Sequence, residues 1–108
     1  MDKLPTYRVC VYVPSKSLEE FIEAISSYIP SFLGGYDNVC WWSEKGVEQY
    51  RKIGKDCVEV AASHRVEISL PYEERILENF ILDVIIPSHP WEEPVITITE
   101  QKIVNIRK

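Results

Sequence analysis

From Tyr7 to Val13 the side chains alternate. Tyr7, Val9, Val11 and Val13 point one way, and Arg8, Cys10 and Tyr12 the other. This period of two, in β-branched and aromatic residues, predicts a half-buried strand, which Pro14 ends. The period then changes. Leu18, Phe21, Ile22, Ile25, Tyr28 and Ile29 fall on one helical face, with Glu19, Glu20, Glu23 and Ser26 opposite. That predicts an amphipathic helix stopped by Pro30. Ser17 and Glu20 have the spacing of a capping box at its start.

Gly34-Gly35 marks a turn or a close approach. Tyr36 to Ser43 is aromatic and β-branched and reads as a second strand. Glu44-Lys45-Gly46 reads as a turn, and Val47 to Asp56 as a loop or short irregular hairpin. From Val58 to Leu70 the period of two returns, with Val58, Val60, Ala62, His64, Val66, Ile68 and Leu70 on one face. The run is long for a strand, so a bulge or break is expected near Ala61–Ser63. Pro71 suits the first position of a second helix, with Glu73 and Glu74 favourable at its N-terminus. Ile76, Leu77, Phe80, Ile81, Val84 and Ile85 form its apolar face, widened by Leu82 and Ile86. His89-Pro90-Trp91-Glu92-Glu93-Pro94 is a stiff elbow, because each proline biases the residue before it toward extended backbone. Val95 to Thr99 is the last full strand, and Ile103, Val104 and Ile106 a further short strand or arm.

The order β-α-β-β-α-β predicts an α+β fold: a ferredoxin-like sandwich with one antiparallel sheet and two helices on one face. The chain length suits one domain spanning 1–108. Two helices with one apolar face each cover one side of the sheet. The other side carries apolar and aromatic residues beside charges, so self-association is expected.

Composition narrows the partners. The apolar fraction of 45% and charged fraction of 27% are those of a globular protein. A net charge of −5 with scattered basic residues (Arg107-Lys108 sit together) argues against nucleic acid. No apolar run approaches a membrane span, and Met1-Asp2-Lys3-Leu4-Pro5 lacks the apolar region of a signal peptide. A cytoplasmic location is therefore expected. Cys10, Cys40 and Cys57 are odd in number and form no Cys-x-x-Cys, so no disulfide framework is expected.

Gly35-Tyr36-Asp37-x-x-Cys40-x-Trp42, followed by the His89-Pro90-Trp91-Glu92-Glu93-Pro94 elbow, resembles the PII/CutA-like domain of the Nif-three-like family (the Ngg-one-interacting-factor-three family). The CutA family carries a similar elbow at the same place. The resemblance covers roughly Tyr7 to Thr99. It departs at Leu33-Gly34-Gly35-Tyr36, where an Ile-Gly-Asn-Tyr type of approach is usual. It departs again at Trp91, where Tyr is common, and in Val47 to Asp56, which is poorer in Gly and Pro. In the full-length family the domain is often inserted in a larger protein with a dinuclear metal centre, whose ligands have no counterpart in this chain. The resemblance implies a CutA-like fold, a trimer by analogy with a dimer as the alternative, and no defined activity.

Candidate sites follow from residue chemistry. His89, Glu92 and Glu93 combine imidazole and carboxylate, a donor set that suits several divalent ions, with His89 and Glu93 as the metal ligands. The alternative is structural: His89 caps the helix end and the carboxylates pair locally. Tyr36, Asp37, Trp41 and Trp42 could line a cleft between subunits that stacks a planar small molecule, or simply pack there; Trp91 of the elbow is a further binding candidate. Asp37 also suits a turn. His64 is either a ligand or a neutral, satisfied histidine. Cys40 has no neighbour in sequence that would activate it. No nucleophile elbow, phosphate loop or zinc spacing is present. The reading is a non-enzymatic binding or regulatory protein that self-associates and takes a small molecule or divalent metal at subunit clefts, with no certain cofactor. The alternatives are a metal-dependent hydrolase or divalent-metal-tolerance factor, and a ligand-free assembly module.

Overall fold

The computed structural model describes residues 1–31 and 34–106. The Leu33 part of the glycine motif and the Arg107-Lys108 pair lie outside the described residues. The first strand, β1 (Lys3–Pro14), is followed by a 3-10 turn (Ser15–Ser17) and helix α1 (Leu18–Ser26). Next come β2 (Trp41–Trp42), β3 (Gly46–Tyr50) and the long β4 (Glu59–Pro71). The second helical stretch has three parts: α2 (Glu74–Asn79), a π-helical turn (Phe80–Ile85) and α3 (Ile86–Ser88). Strand β5 (Ile96–Val104) closes the order.

All pairings are antiparallel, and β1 is central. It pairs β4 on one side, Thr6 to Pro14 against Pro71 to Ser63, and β5 on the other, Lys3 to Val11 against Val104 to Ile96. Strands β2 and β3 both lie on the far edge of β4. This is the ferredoxin-like sandwich that the alternation predicts.

Register explains the core. Val9, Val11 and Val13 from β1 and Val66, Ile68 and Leu70 from β4 are paired or adjacent across the ladder, so they share a face and are buried. Phe21 and Ile25 of α1, with Ile29 just beyond it, and Leu77, Phe80 and Ile85 of the second helical stretch close over them. The opposite face carries Arg8, Cys10, Tyr12, Arg65, Glu67 and Ser69, and none of the described helices covers it.

Several local expectations need correction. Ser17 makes no side-chain cap bond. The 3-10 turn runs straight into α1, so the capping box does not form. Helix α1 ends at Ser26, and Tyr28 leaves the apolar face to stand 65% exposed. Pro71 ends β4 rather than opening a helix, because its partner Thr6 keeps it in the ladder; the helix begins at Glu74. Leu82 is 60% exposed instead of widening the apolar face. The cause is the π-helical turn. Pro87 has no N–H to continue the ordinary pattern, and the Ile86 N–H donates to Ile81 O, five residues back. The extra residue rotates Leu82 outward.

The second strand is shorter than expected. Only Trp41–Trp42 pair in it, whereas Tyr36 to Asp37 is irregular and exposed. Gly34 and Gly35 both have φ of 74°, so the turn needs their left-handed freedom. The expected irregularity near Ala61–Ser63 lies on the partner strand. Trp41 and Trp42 pair Glu67 and Val66, but Gly46 pairs Ser63, so Ser43 to Lys45 carries one residue too many. Beyond that bulge, β3 and β4 run on past Pro14 as a projecting hairpin, and the chain measures 57 × 26 × 25 Å. The final strand and Ile103-Val104 of the expected arm form a single strand, β5, and Ile106 lies beyond its end.

Tyr7 stacks on Tyr72 at 4.6 Å, and its hydroxyl donates to Glu74 Oε2 at 3.0 Å. The Glu74 carboxylate pushes the Tyr7 pKa up to about 12. The Tyr72 hydroxyl donates to Glu100 in turn, so the helix start is tied to both β1 and β5. Because Ser17 caps nothing, Ser17→Ala should change unfolding free energy by less than about 0.5 kcal/mol in urea titration, where a working cap costs about 1 kcal/mol.

Candidate functional site

The elbow is held by its histidine. The β1–β5 pairing stops at Val11 and Ile96, so the Tyr12 carbonyl extends past the end of β5. His89 Nε2 donates to that carbonyl at 2.7 Å. Because a carbonyl only accepts, Nε2 carries the proton and Nδ1 is free to accept from the Trp91 N–H, at 3.0 Å. Phe21 meets the ring edge-on at 5.7 Å, and Trp91 lies 5.2 Å away. His89 is buried. Its backbone N–H closes the helix end on Ile86 O at 3.3 Å, while its ring pins the elbow to β1.

Glu92 and Glu93 are exposed and make no bond to His89. A metal at His89 would have to displace one of these two backbone bonds. Among the described residues, no three His, Cys, Asp or Glu side chains come together as a metal site. Trp91 instead covers the base of the projecting hairpin, lining a small cavity with Pro14, Glu48, Tyr50 and Ser63. The Glu48 Oε1 atom is buried there with no hydrogen-bond partner.

His64 is fully bonded as well. Its Nδ1 donates to the Ser43 carbonyl and its Nε2 accepts from the Ser15 hydroxyl in the neutral ring, both at 2.8 Å. These bonds fasten the bulge and the 3-10 turn to β4, which is the satisfied-histidine alternative.

A second constellation lies on the uncovered sheet face. Glu67 accepts from Arg8 Nε at 3.1 Å and from Arg65 Nε at 2.9 Å. Arg8 Nη1 also donates to Ser69 at 2.9 Å. Arg65 lies over the Trp41 ring, 5.1 Å from its centroid. The two guanidiniums hold the Glu67 carboxyl below its ordinary value. Beside them opens a cavity of about 320 Å³ lined by Arg8, Tyr36, Cys40, Trp41, Glu67 and Ser69, among others. Burial pushes the Cys40 thiol up to about 11, so it is protonated and unreactive at neutral pH.

Of the aromatic candidates, the fold brings Tyr36 to this cavity together with Trp41. Trp42 pairs Val66 and faces the other side of the sheet, and Asp37 is exposed, its carboxylate accepting from the Asn38 side chain. The residues missed in the sequence are Arg8, Arg65 and Glu67. Their alternation on polar strand faces was visible, but their convergence depends on the β1–β4 register.

The fold is that of the CutA/PII-like α+β proteins. No family model and no curated protein matches the chain. Among solved structures, a Bacillus cereus protein related to NIF3 superposes with a TM-score of 0.73 at 20% identity, over 94% of this chain and 27% of that one. CutA1 from Oryza sativa gives 0.71 at 18%, over 96% and 86%. The divalent cation tolerance protein (CutA1) from Thermus thermophilus gives 0.64 at 13%, over 87% and 82%. The chain thus spans about a quarter of the NIF3-related protein and most of each CutA1 protein. At such identities the likeness establishes the fold. Among the described residues, no helix is long and apolar enough to cross a membrane.

Removing the His89 ring should leave a buried carbonyl and N–H unpaired, so His89→Ala is expected to cost about 1–3 kcal/mol in urea unfolding. Glu92→Gln and Glu93→Gln should each stay within about 0.5 kcal/mol. Because the folded Glu67 pKa is depressed, its stabilisation is complete above the ordinary value of 4.5 and is lost as pH falls below it. Glu67→Gln should therefore flatten the acid limb of a stability–pH curve.

Proposed function

We propose that the protein is a non-catalytic, cytoplasmic binding or regulatory module that works as an assembly of identical copies, with the uncovered sheet face turned inward. The observation that carries this reading is that face itself. None of the described helices covers it, and the hairpin that projects beyond it exposes Tyr50 on that side and Val47, Val58 and Val60 on the other, with Ile53 in its loop 99% exposed. A surface patch of this kind belongs at a protein contact. Another copy is the occupant favoured by the fold, and the trimer implied by the sequence resemblance is the expected order. The unpartnered Glu48 oxygen at the hairpin base supports the same reading, since a buried carboxylate oxygen is costly without a donor. The chain as a single domain serves as the unit of assembly.

Divalent-cation handling is a second reading, favoured by the name of the Thermus thermophilus neighbour. One copy offers no converged ligand set among the described residues, so ligands would have to meet across a contact. The test is thermal: Mn, Zn, Cu or Ni should raise the melting temperature, and His89→Ala should abolish the rise, if the cation site includes the elbow.

Light scattering at micromolar concentration tests the first reading, with a mass of three chains expected. Tyr12→Asp combined with Tyr50→Asp, both on the uncovered side, should shift it toward one chain while far-ultraviolet circular dichroism stays unchanged. A folded wild-type monomer would overturn the assembly.

A further inference from the structure

We infer that the cavity on the uncovered face binds a small planar organic anion, an aromatic or heteroaromatic monocarboxylate. This rests on the reading of the protein as a binding module and names the class of molecule it takes. Charge is the first reason. Arg8 and Arg65 converge on the single carboxylate of Glu67, so two positive charges meet one negative charge. The residues paired with Arg8 in the flanking strands are Ser69 and Thr99, which add no compensating charge. Cys40 in the cavity wall stays neutral. Beside the cavity one guanidinium charge is left over, in a chain whose net charge is −5; the other acids of this face, Glu48 and Glu59, lie beyond Pro14 in the hairpin.

The geometry of Arg8 is the second reason. Its Nε is engaged by Glu67 and its Nη1 by Ser69, which fixes the plane of the fork. A guanidinium carries more N–H donors than these two bonds use, and a carboxylate is the group that meets such a fork edge-on. Glu67 holds Arg8 in place and also sets the charge of the guest. A monoanion matches the single surplus charge, whereas a dianion would set its second charge against Glu67.

Shape is the third. The cavity measures about 320 Å³, at the small end of small-molecule sites. Tyr36 and Trp41 supply flat walls, and Val39, Ile29 and Ile103 supply apolar ones. Arg65 stacked on Trp41 holds the indole in place. Flat apolar walls beside one fixed cation select a ring bearing one carboxylate.

The test is calorimetric titration of 2-naphthoate and its neutral isostere 2-naphthamide, with light scattering on the same samples. The acid should bind at least about tenfold more tightly than the amide. Arg8→Gln should erase that difference, and raising salt should weaken the acid but not the amide. Tyr36→Ala, at an exposed position, should weaken both ligands about fivefold without affecting folding. Equal affinity for acid and amide, absence of binding, or full acid binding by a folded Arg8→Gln variant would overturn the inference. Should Arg8→Gln not fold, the salt dependence and the acid–amide ratio of the wild type decide alone. Every lining residue belongs to one chain, so the two readings separate. A monomer that binds naphthoate overturns assembly and keeps the site. An assembled protein that does not bind overturns the site and keeps assembly.

Discussion

The ladder along both edges of β1 is the constraint on which the rest of the molecule depends. Because β1 pairs β4 and β5 over nearly its whole length, its register decides which residues face the helices and which face outward. A slip of one residue would send Val9, Val11 and Val13 into solvent and bring Arg8 and Tyr12 against Phe21 and Ile25. The helices could not then close. The same register aligns Arg8 with Ser69 and sets Glu67 diagonally beside it, so core and outer-face cluster arise from one arrangement.

Charge is divided between the two layers. Glu19, Glu20 and Glu23 on α1 and Glu74, Glu78 and Asp83 on the second helical stretch make the outer surface acidic, with Lys16 and Arg75 the nearby cations. The uncovered sheet face has the opposite local sign, because Arg8 and Arg65 outnumber Glu67. An assembly with sheets inward would expose acidic helices to water and keep copies from stacking helix on helix.

How far the sequence disclosed this varies with the range of the interaction. Strand β1 and the core face of β4 were legible because a period of two is a local signal and tertiary packing agreed with it. The elbow was legible as a stiff bend, since proline acts on its own neighbour. What His89 does there was not, because its partner is a carbonyl on β1 released by the end of β5. Pro71 misled for a related reason: its ring suits a helix start, but Thr6 holds it in the sheet. Trp41 and Trp42 were both legible as candidates, but only their pairing with Glu67 and Val66 respectively shows that Trp41 is the one at the cavity. The Arg8–Glu67–Arg65 cluster joins two strands and could be read only once their alignment was fixed.

The π-helical turn also sets what change of length its segment can absorb. An extra residue between Phe80 and Ile85 lets Leu77, Phe80 and Ile85 all face the core although Pro87 interrupts the ordinary bonding. Removing one residue between Phe80 and Ile85 would restore the spacing of an ordinary helical face, with the same three side chains still turned to the sheet. This segment should therefore tolerate a deletion that in β1 would turn every side chain over.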